Sequence, residues 1–189
     1  PRSGLAADGQ ALMSRPDREK LPYRDCVGIA VFNRDGLVLI GRRRPEDDPE
    51  DSSEFGSPWQ MPQGGIDKGE DPRDTARREL FEETSVRSIE LIAEAPGWIY
   101  YDLPDEVLGI GLKGKYRGQR QRWFAFRFTG DESEIDVDDP GDGSMPAEFD
   151  AWRWEVLDRL PDLIVPFKRE AYLKVVDAFR DVPQKLRAR

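Results

Sequence analysis

The stretch RRELFEET, Arg77 to Thr84, sets three glutamates, Glu79, Glu82 and Glu83, within five positions beside two arginines. The residues before it fix the local structure. Asp71 can cap a helix, Pro72 suits the first helical position, and Asp74 adds negative charge to the first turn, where the helix dipole favours it. A helix running from there to about Thr84 places Glu79 four residues from Glu83 and three from Glu82, so all three project from one side. Like charges at these spacings repel by roughly a few tenths of a kcal/mol per pair. Two readings fit. One is a solvated acidic face with Arg77 and Arg78 as partners. The other is a site for a hard cation such as Mg²⁺ or Mn²⁺, because carboxylate oxygens suit these ions and shared coordination replaces mutual repulsion.

The rest of the sequence limits the chemistry. There is no histidine among the 189 residues. That removes serine–histidine hydrolases, histidine general bases and the usual histidine-containing zinc sites. Catalysis must then rest on carboxylates, lysines, tyrosines or hard metal ions. Cys26 is the one cysteine, so no internal disulfide can form and a reducing, cytoplasmic setting is expected. The formal net charge is −9 with 35% charged residues, which favours solubility, and no apolar run is long enough to cross a bilayer. The first residues lack the hydrophobic centre of a signal peptide. Met13 could be a natural start, so residues 1–20 are set aside as a flexible N-terminal extension. Residues 21–182 are expected to form one domain and 183–189 a C-terminal tail.

Within that domain, CVGIAVFN (Cys26–Asn33), a turn at NRDG and LVLIGRR (Leu37–Arg43) predict a β-hairpin. Residues 44–57, acidic and rich in turn formers, predict a long exposed loop. SIELIAEA (Ser88–Ala95), WIYYDL (Trp98–Leu103), QRWFAFRF (Gln121–Phe128) and FDAWRWEV read as strands, with Phe124, Phe126 and Phe128 on one face. GDESEIDVDDPGDGS (Gly130–Ser144) holds seven acids and no base, and should be mostly solvated. It does not work as a calcium loop: Pro140 takes a needed ligand position and no correctly spaced glutamate closes it. A last helix starts near Pro166, with Tyr172, Val175, Val176 and Phe179 as a core-facing stripe. Mixed strands and helices in one unit predict an α+β architecture, a mixed sheet between helices.

Read outward from the glutamates, GGIDKGEDPRDTARRELFEETSV (Gly64–Val86) has glycine, five residues, Glu70, seven residues, Arg78–Glu79, an apolar residue, any residue, then Glu82–Glu83. This resembles the Nudix box of hydrolases that act on nucleoside diphosphate–linked substrates, with its loop–helix–loop layout. The resemblance implies a Nudix fold, an α/β/α sandwich. It also implies that Glu79, Glu82 and Glu83 hold divalent ions, Mg²⁺ or Mn²⁺ and more than one, and act in catalysis. Glu70 and Arg78 would be a supporting pair, with Gly64 and Gly65 as structural parts of the loop. Ser85 stands where the family usually has glycine, which puts the turn after the helix in doubt more than the chemistry.

Over roughly Leu21 to Phe179, LPYRDCVGIAVFN, WQMPQGGI, RELFEET, GQRQRWFAFRF, EFDAWRW and PFKREAY are similar, in order, to the bacterial branch of RNA 5′ pyrophosphohydrolases and dinucleoside polyphosphate hydrolases. That likeness implies hydrolysis of a phosphoanhydride bond in a nucleotide polyphosphate, either a triphosphorylated RNA 5′ end or a dinucleoside polyphosphate such as diadenosine tetraphosphate. Glu148 in AEFDAW would complete the metal site and is a candidate base, although alone it reads as one more acid after an acidic loop. Arg24 and Arg43 would meet substrate phosphates, and Phe167 would stack on a base. Tyr101 and Trp98 are weaker candidates, since WIYY could be a buried strand. GLKGKYRGQRQR (Gly111–Arg122), with five bases and no acid, is either a solvated loop or a positive wall for polyphosphate, to which Lys168 and Arg169 would add. The overall negative charge argues against broad nonspecific nucleic-acid binding and for a grip on the 5′ end alone. A monomer is expected. The rivals are a Nudix-fold sensor that binds nucleotides without cleaving them, and a plain acidic interaction domain.

Overall fold

The structure, a computed structural model, describes residues 16–44 and 59–188. Its centre is β1 (Tyr23–Phe32), whose apolar run is buried on both faces, as expected of a strand covered on both sides. β1 runs parallel to β7 (Gly118–Phe128), in register from Tyr23 opposite Gly118 to Phe32 opposite Arg127. β2 (Val38–Arg43) leaves β1 through the turn at Asn33. The Asn33 side-chain oxygen accepts from the backbone N–H groups of Asp35 and Leu37, at 3.0 and 2.9 Å, the local bonding that makes asparagine a turn residue. The predicted hairpin therefore forms, but its strands pair at Phe32 and Val38 and then part. β2 continues against β8 (Phe149–Glu155) and the short β3 (Trp59–Gln60). β1 takes β4 (Gln63–Gly65) as its other neighbour. β5 (Ile89–Glu94) and β6 (Ile99–Asp102) both pair with β7. The long loop expected at 44–57 lies, apart from Arg44, outside the described residues.

Alternation on the central strands builds two cores. Val27, Ile29 and Val31 of β1, with Phe124, Phe126 and Phe128 of β7, pack on Ala76 and Leu80 of α1 (Pro72–Thr84). On the opposite face Ala30, Phe32, Trp123 and Ala125 pack on Tyr172, Val175 and Phe179 of α3 (Arg169–Phe179). The short α2 (Leu160–Leu163) precedes α3. This is the expected mixed sheet between helices.

Two sequence expectations change, and the doubt over Ser85 is resolved. The residues read as a C-terminal tail form most of α4 (Val182–Arg187), whose Val182 and Leu186 are buried in the α3-side core. Part of the expected N-terminal extension is also docked, since Arg18 reaches Asp105 at 2.7 Å. Ser85, in place of the family glycine, still adopts the left-handed turn, at φ 64°. Its hydroxyl accepts from the Gly141 backbone N–H at 2.8 Å. That bond ties the acidic 130–144 segment to the end of α1 and offsets part of the strain of a non-glycine residue there. The segment is mostly exposed, as expected, with Ile135, Val137 and Pro140 turned inward.

Candidate active site

α1 begins as the sequence predicts: the Asp71 carboxylate accepts from the Arg73 N–H at 2.8 Å and Pro72 opens the first turn. Two turns later Arg78 organises the acidic side. Its Nε and Nη2 donate to the two oxygens of Glu70, at 2.8 and 2.9 Å, and Nη2 also donates to the Gly65 carbonyl at 3.1 Å. Nη1 reaches Glu79 at 2.9 Å and Glu82 at 3.2 Å. Glu70 also accepts from the Asp67 N–H at 3.2 Å. The Arg78 fork holds the Glu70 carboxyl down at about 2. Glu70 and Arg78 are thus brought together, loop against helix, in bidentate geometry that lysine could not reproduce.

Glu79 and Glu83 are in a different situation. Glu83 is 3% exposed. One of its oxygens accepts from the Gln63 N–H at 3.3 Å, while Oε1, also buried, accepts from none of the described residues. Burial raises its carboxyl well above the ordinary range, the charges of Glu148 and Glu79 raise it further, and Arg43 opposes them. Burial likewise pushes Glu79 up to about 7, against the pull of Arg78 and with help from Glu82 and Glu148. Such buried, mutually repelling carboxylates are costly unless a cation or a proton compensates them. Among the described residues no three acidic side chains stand as a ready-made metal cluster. Glu79 and Glu82 each give an oxygen to Arg78, and Glu148 faces Arg43 at 3.6 Å. The donor set nevertheless fits a hard divalent ion: the candidate donors are all carboxylate oxygens, and one buried oxygen has no donor among the described residues.

Two adjacent glycines make this arrangement possible. A β-carbon at Gly64 would overlap the Glu79 carboxyl, and one at Gly65 would overlap the Arg24 guanidinium. The loop backbone therefore lies directly against a carboxylate on one side and a cation on the other.

A cavity of about 580 Å³ opens over these groups. Glu79, Glu82, Glu148, Arg24, Arg43, Arg78, Lys168, Gly64 and Gly65 all line it, so the tertiary fold gathers residues spread along most of the chain. Glu83 sits beneath, and Glu70 behind Arg78. Arg24 and Lys168 make no ion pair with any described residue, unlike Arg43 and Arg78. Tyr101 is placed differently from the expectation of a stacking platform. It is 5% exposed and part of the core, with the Lys168 ammonium 5.3 Å above its ring. Phe167 lies beside it at 5.8 Å and keeps some exposure next to Lys168, outside the cavity lining. Trp98 stands apart, under Arg120.

The positive wall expected from 111–122 is largely neutralised. Arg120 is paired with Asp25 at 2.6 Å, Arg117 with Asp102 at 3.3 Å and Arg122 with Glu94 at 3.6 Å, which leaves the exposed Lys113 and Lys115. The sequence reading missed Gln63, Asp67, Leu112, Gln119 and Met145, all of which line the cavity. Gln119 had a signal. Gln119, Gln121 and Trp123 alternate on one face of β7, and Gln121 donates to both Gln119 and Gln63, at 2.9 and 3.0 Å. The arginines between them face the other way and dominate the segment's charge.

Residues 22–175 match the NUDIX domain, and the chain belongs to the Nudix family. It is an enzyme of that family that hydrolyses a phosphoanhydride bond. It is similar to "RNA pyrophosphohydrolase" of Rhizobium meliloti (strain 1021), 62% identical over 163 residues, covering 85% of this chain and 95% of that protein. Against "RNA pyrophosphohydrolase" of Agrobacterium fabrum the figures are 59% over 169 residues, with 88% and 97% covered. Among solved structures, the MutT protein from Methanosarcina mazei Go1 matches with a TM-score of 0.58 at 16% identity, covering 82% of this chain and 94% of that one. The E. coli dihydroneopterin triphosphate pyrophosphohydrolase matches at 0.57 and 19%, covering 82% and 98%. At those identities the structures speak for the fold alone. Nudix hydrolases generally need divalent metal ions.

Proposed function

We propose that this enzyme removes pyrophosphate from triphosphorylated RNA 5′ ends, with Glu79, Glu82, Glu83 and Glu148 as the residues that would hold Mg²⁺ (Mn²⁺ being acceptable) in more than one position. The observation that carries the reading is the buried Glu83 beneath Glu79 and beside Glu148, with an oxygen that no described donor reaches. The RNA substrate is supported by relatives named RNA pyrophosphohydrolase at 55–62% identity.

Divalent ions there would offset the charge of the phosphate oxygens and lower the pKa of an attacking water. The chain's own groups do the rest. Arg24 and Lys168, cations without carboxylate partners among the described residues, hold the phosphate chain across the cavity. Arg78, locked by Glu70, keeps Glu79 and Glu82 in place. Glu148, on the cavity wall, is the candidate base that takes the water proton. Phe167, at the rim, offers its ring to the first exposed base, a contact of about 1–3 kcal/mol. No covalent nucleophile is required, in keeping with a histidine-free chain.

A dinucleoside polyphosphate is the second reading, because the same cavity would serve any nucleotide polyphosphate chain. Turnover of a short triphosphorylated RNA and of diadenosine tetraphosphate, compared under one set of conditions, decides between them. Glu83→Gln should remove most Mg²⁺-dependent hydrolysis of either. Near-normal turnover in that variant would reject the proposed site, and tight binding without phosphate release by the unaltered protein would point to a sensor.

A further inference from the structure

A second cavity, of about 460 Å³, adjoins the first and shares Arg24, Gly65 and Asp67 with it. Its volume falls in the range of small-molecule sites. The remaining lining includes two tyrosines, Tyr23 and Tyr116. Tyr23 is a fixed wall. The Arg117 guanidinium lies 4.9 Å over its ring and Tyr100 packs edge-on at 5.0 Å. Tyr116 is held by its neighbours along the chain. The Arg117 N–H donates to the Pro22 carbonyl at 3.0 Å, and the Lys115 N–H to the Leu112 carbonyl at 3.3 Å. The Tyr116 ring itself, half-buried, makes no ring contact, hydrogen bond or ion pair with any described residue.

The turn before Tyr116 is strained. Leu112 and Lys113, neither of them glycine, have φ of 51° and 57°. Non-glycine residues stay in this region only where the surrounding structure holds them there. This one short segment lines both cavities, with Leu112 in the first and Tyr116 in the second. Between them stands Arg24, with no carboxylate partner among the described residues, laid against Gly65. Asp67, loosely paired with Arg78 at 3.7 Å and with its side chain 83% exposed, keeps acceptor capacity at the shared edge.

We propose that the second cavity is a nucleoside subsite: a base stacks on Tyr116, Asp67 accepts from ribose or base donors, and Arg24 grips the phosphate that leads to the carboxylate-lined cavity. The proposal rests on the functional reading above. The nucleoside could belong to an RNA or to the far end of a dinucleoside polyphosphate, and both present the same chemistry.

The test is calorimetric binding of three probes to the unaltered protein, Tyr116→Ala and Tyr116→Phe, with Mg²⁺ present. The probes are a nonhydrolysable diadenosine tetraphosphate, a nonhydrolysable triphosphorylated dinucleotide RNA, and inorganic tripolyphosphate. Tyr116→Ala should weaken at least one nucleoside-bearing probe by about 10-fold or more, leave tripolyphosphate unchanged, and be rescued by phenylalanine. Loss for the RNA, for the dinucleoside compound or for both names the source of the nucleoside. Unchanged affinity for both, an equal loss for tripolyphosphate, or no tighter binding of the nucleoside probes than of tripolyphosphate by the unaltered protein would overturn the subsite. Because binding is measured without turnover, this failure is separate from that of the Glu83→Gln activity test.

Discussion

Gly64 and Glu79 lie so close that the loop backbone leaves no room for a β-carbon between them. Glu79 is buried against that glycine and tied to Arg78, so it has little freedom to move aside. Gly64→Ala should therefore displace the Glu79 carboxylate. Since Gly64 has no positive φ, its backbone should tolerate alanine. A loss of about 100-fold in kcat is expected from misplacing a catalytic group by an ångström or so, with the melting temperature moved by only a few degrees. Wild-type turnover in this variant would mean that the contact does not matter to catalysis.

The raised carboxyls of Glu79 and Glu83 imply that a divalent ion should stabilise the fold. Magnesium chloride should raise the melting temperature beyond sodium chloride of equal ionic strength. At an ion concentration of 100 times Kd the gain is about 2.7 kcal/mol. Glu83→Gln should abolish most of the difference. Identical melts in the two salts would argue for a plain acidic domain.

Glu70 supplies a pH dependence of known sign. Its folded carboxyl sits at about 2, below its ordinary value of 4.5, because Arg78 donates to both oxygens. The resulting stability is present above pH 4.5 and is lost as the pH falls through 4.5 toward 2. Glu70→Gln should cost about 1 kcal/mol near pH 6, and the gap to the unaltered protein should close on acidification. Urea unfolding across that range measures it. A gap that stays constant with pH would show that the pair contributes through packing instead.

Tyr172 links α3 to the loop that leads into the site. Its hydroxyl accepts from the Met61 backbone N–H at 2.9 Å, fully out of solvent. Tyr172→Phe leaves that donor buried and unpaired, at a cost of about 1–3 kcal/mol. Chemical denaturation should register the loss, and an unchanged midpoint would mean that Met61 finds another acceptor.

Cys26 is completely buried, and burial pushes its thiol up to about 12. The thiolate, the reactive form, is scarcely present at neutral pH. Thiol reagents should label the folded protein slowly and the urea-unfolded protein at once. Rapid labelling of the native form would place Cys26 nearer the surface.

Local signals carried much of the argument. The cap at Asp71, the proline at 72 and the glutamate spacing define α1 without reference to any other segment, because helix capping and side-chain periodicity act over a few residues. The same holds for the phenylalanine face of β7 and the stripe on α3. Nonlocal facts were hidden. Nothing in GQRQR says that Arg120 would be consumed by Asp25, ninety-five positions earlier, while Gln119 reaches the cavity. Leu186 looked like part of a polar tail because its burial depends on a core built from distant strands.

The sequence by itself determined the class of chemistry. The missing histidine ruled out histidine-based chemistry, and the spacing from Gly64 through Glu70 and Arg78 to Glu83, more than the three glutamates alone, pointed to the Nudix family. Only the tertiary structure decided which cations stay unpaired. The parallel pairing of β1 with β7 and the approach of Gly64 and Gly65 to α1 leave Arg24 and Lys168 without an ion pair among the described residues, while Arg78 and Arg120 are neutralised. Ion pairing depends on separations of a few ångströms, which the order of residues along a chain does not fix.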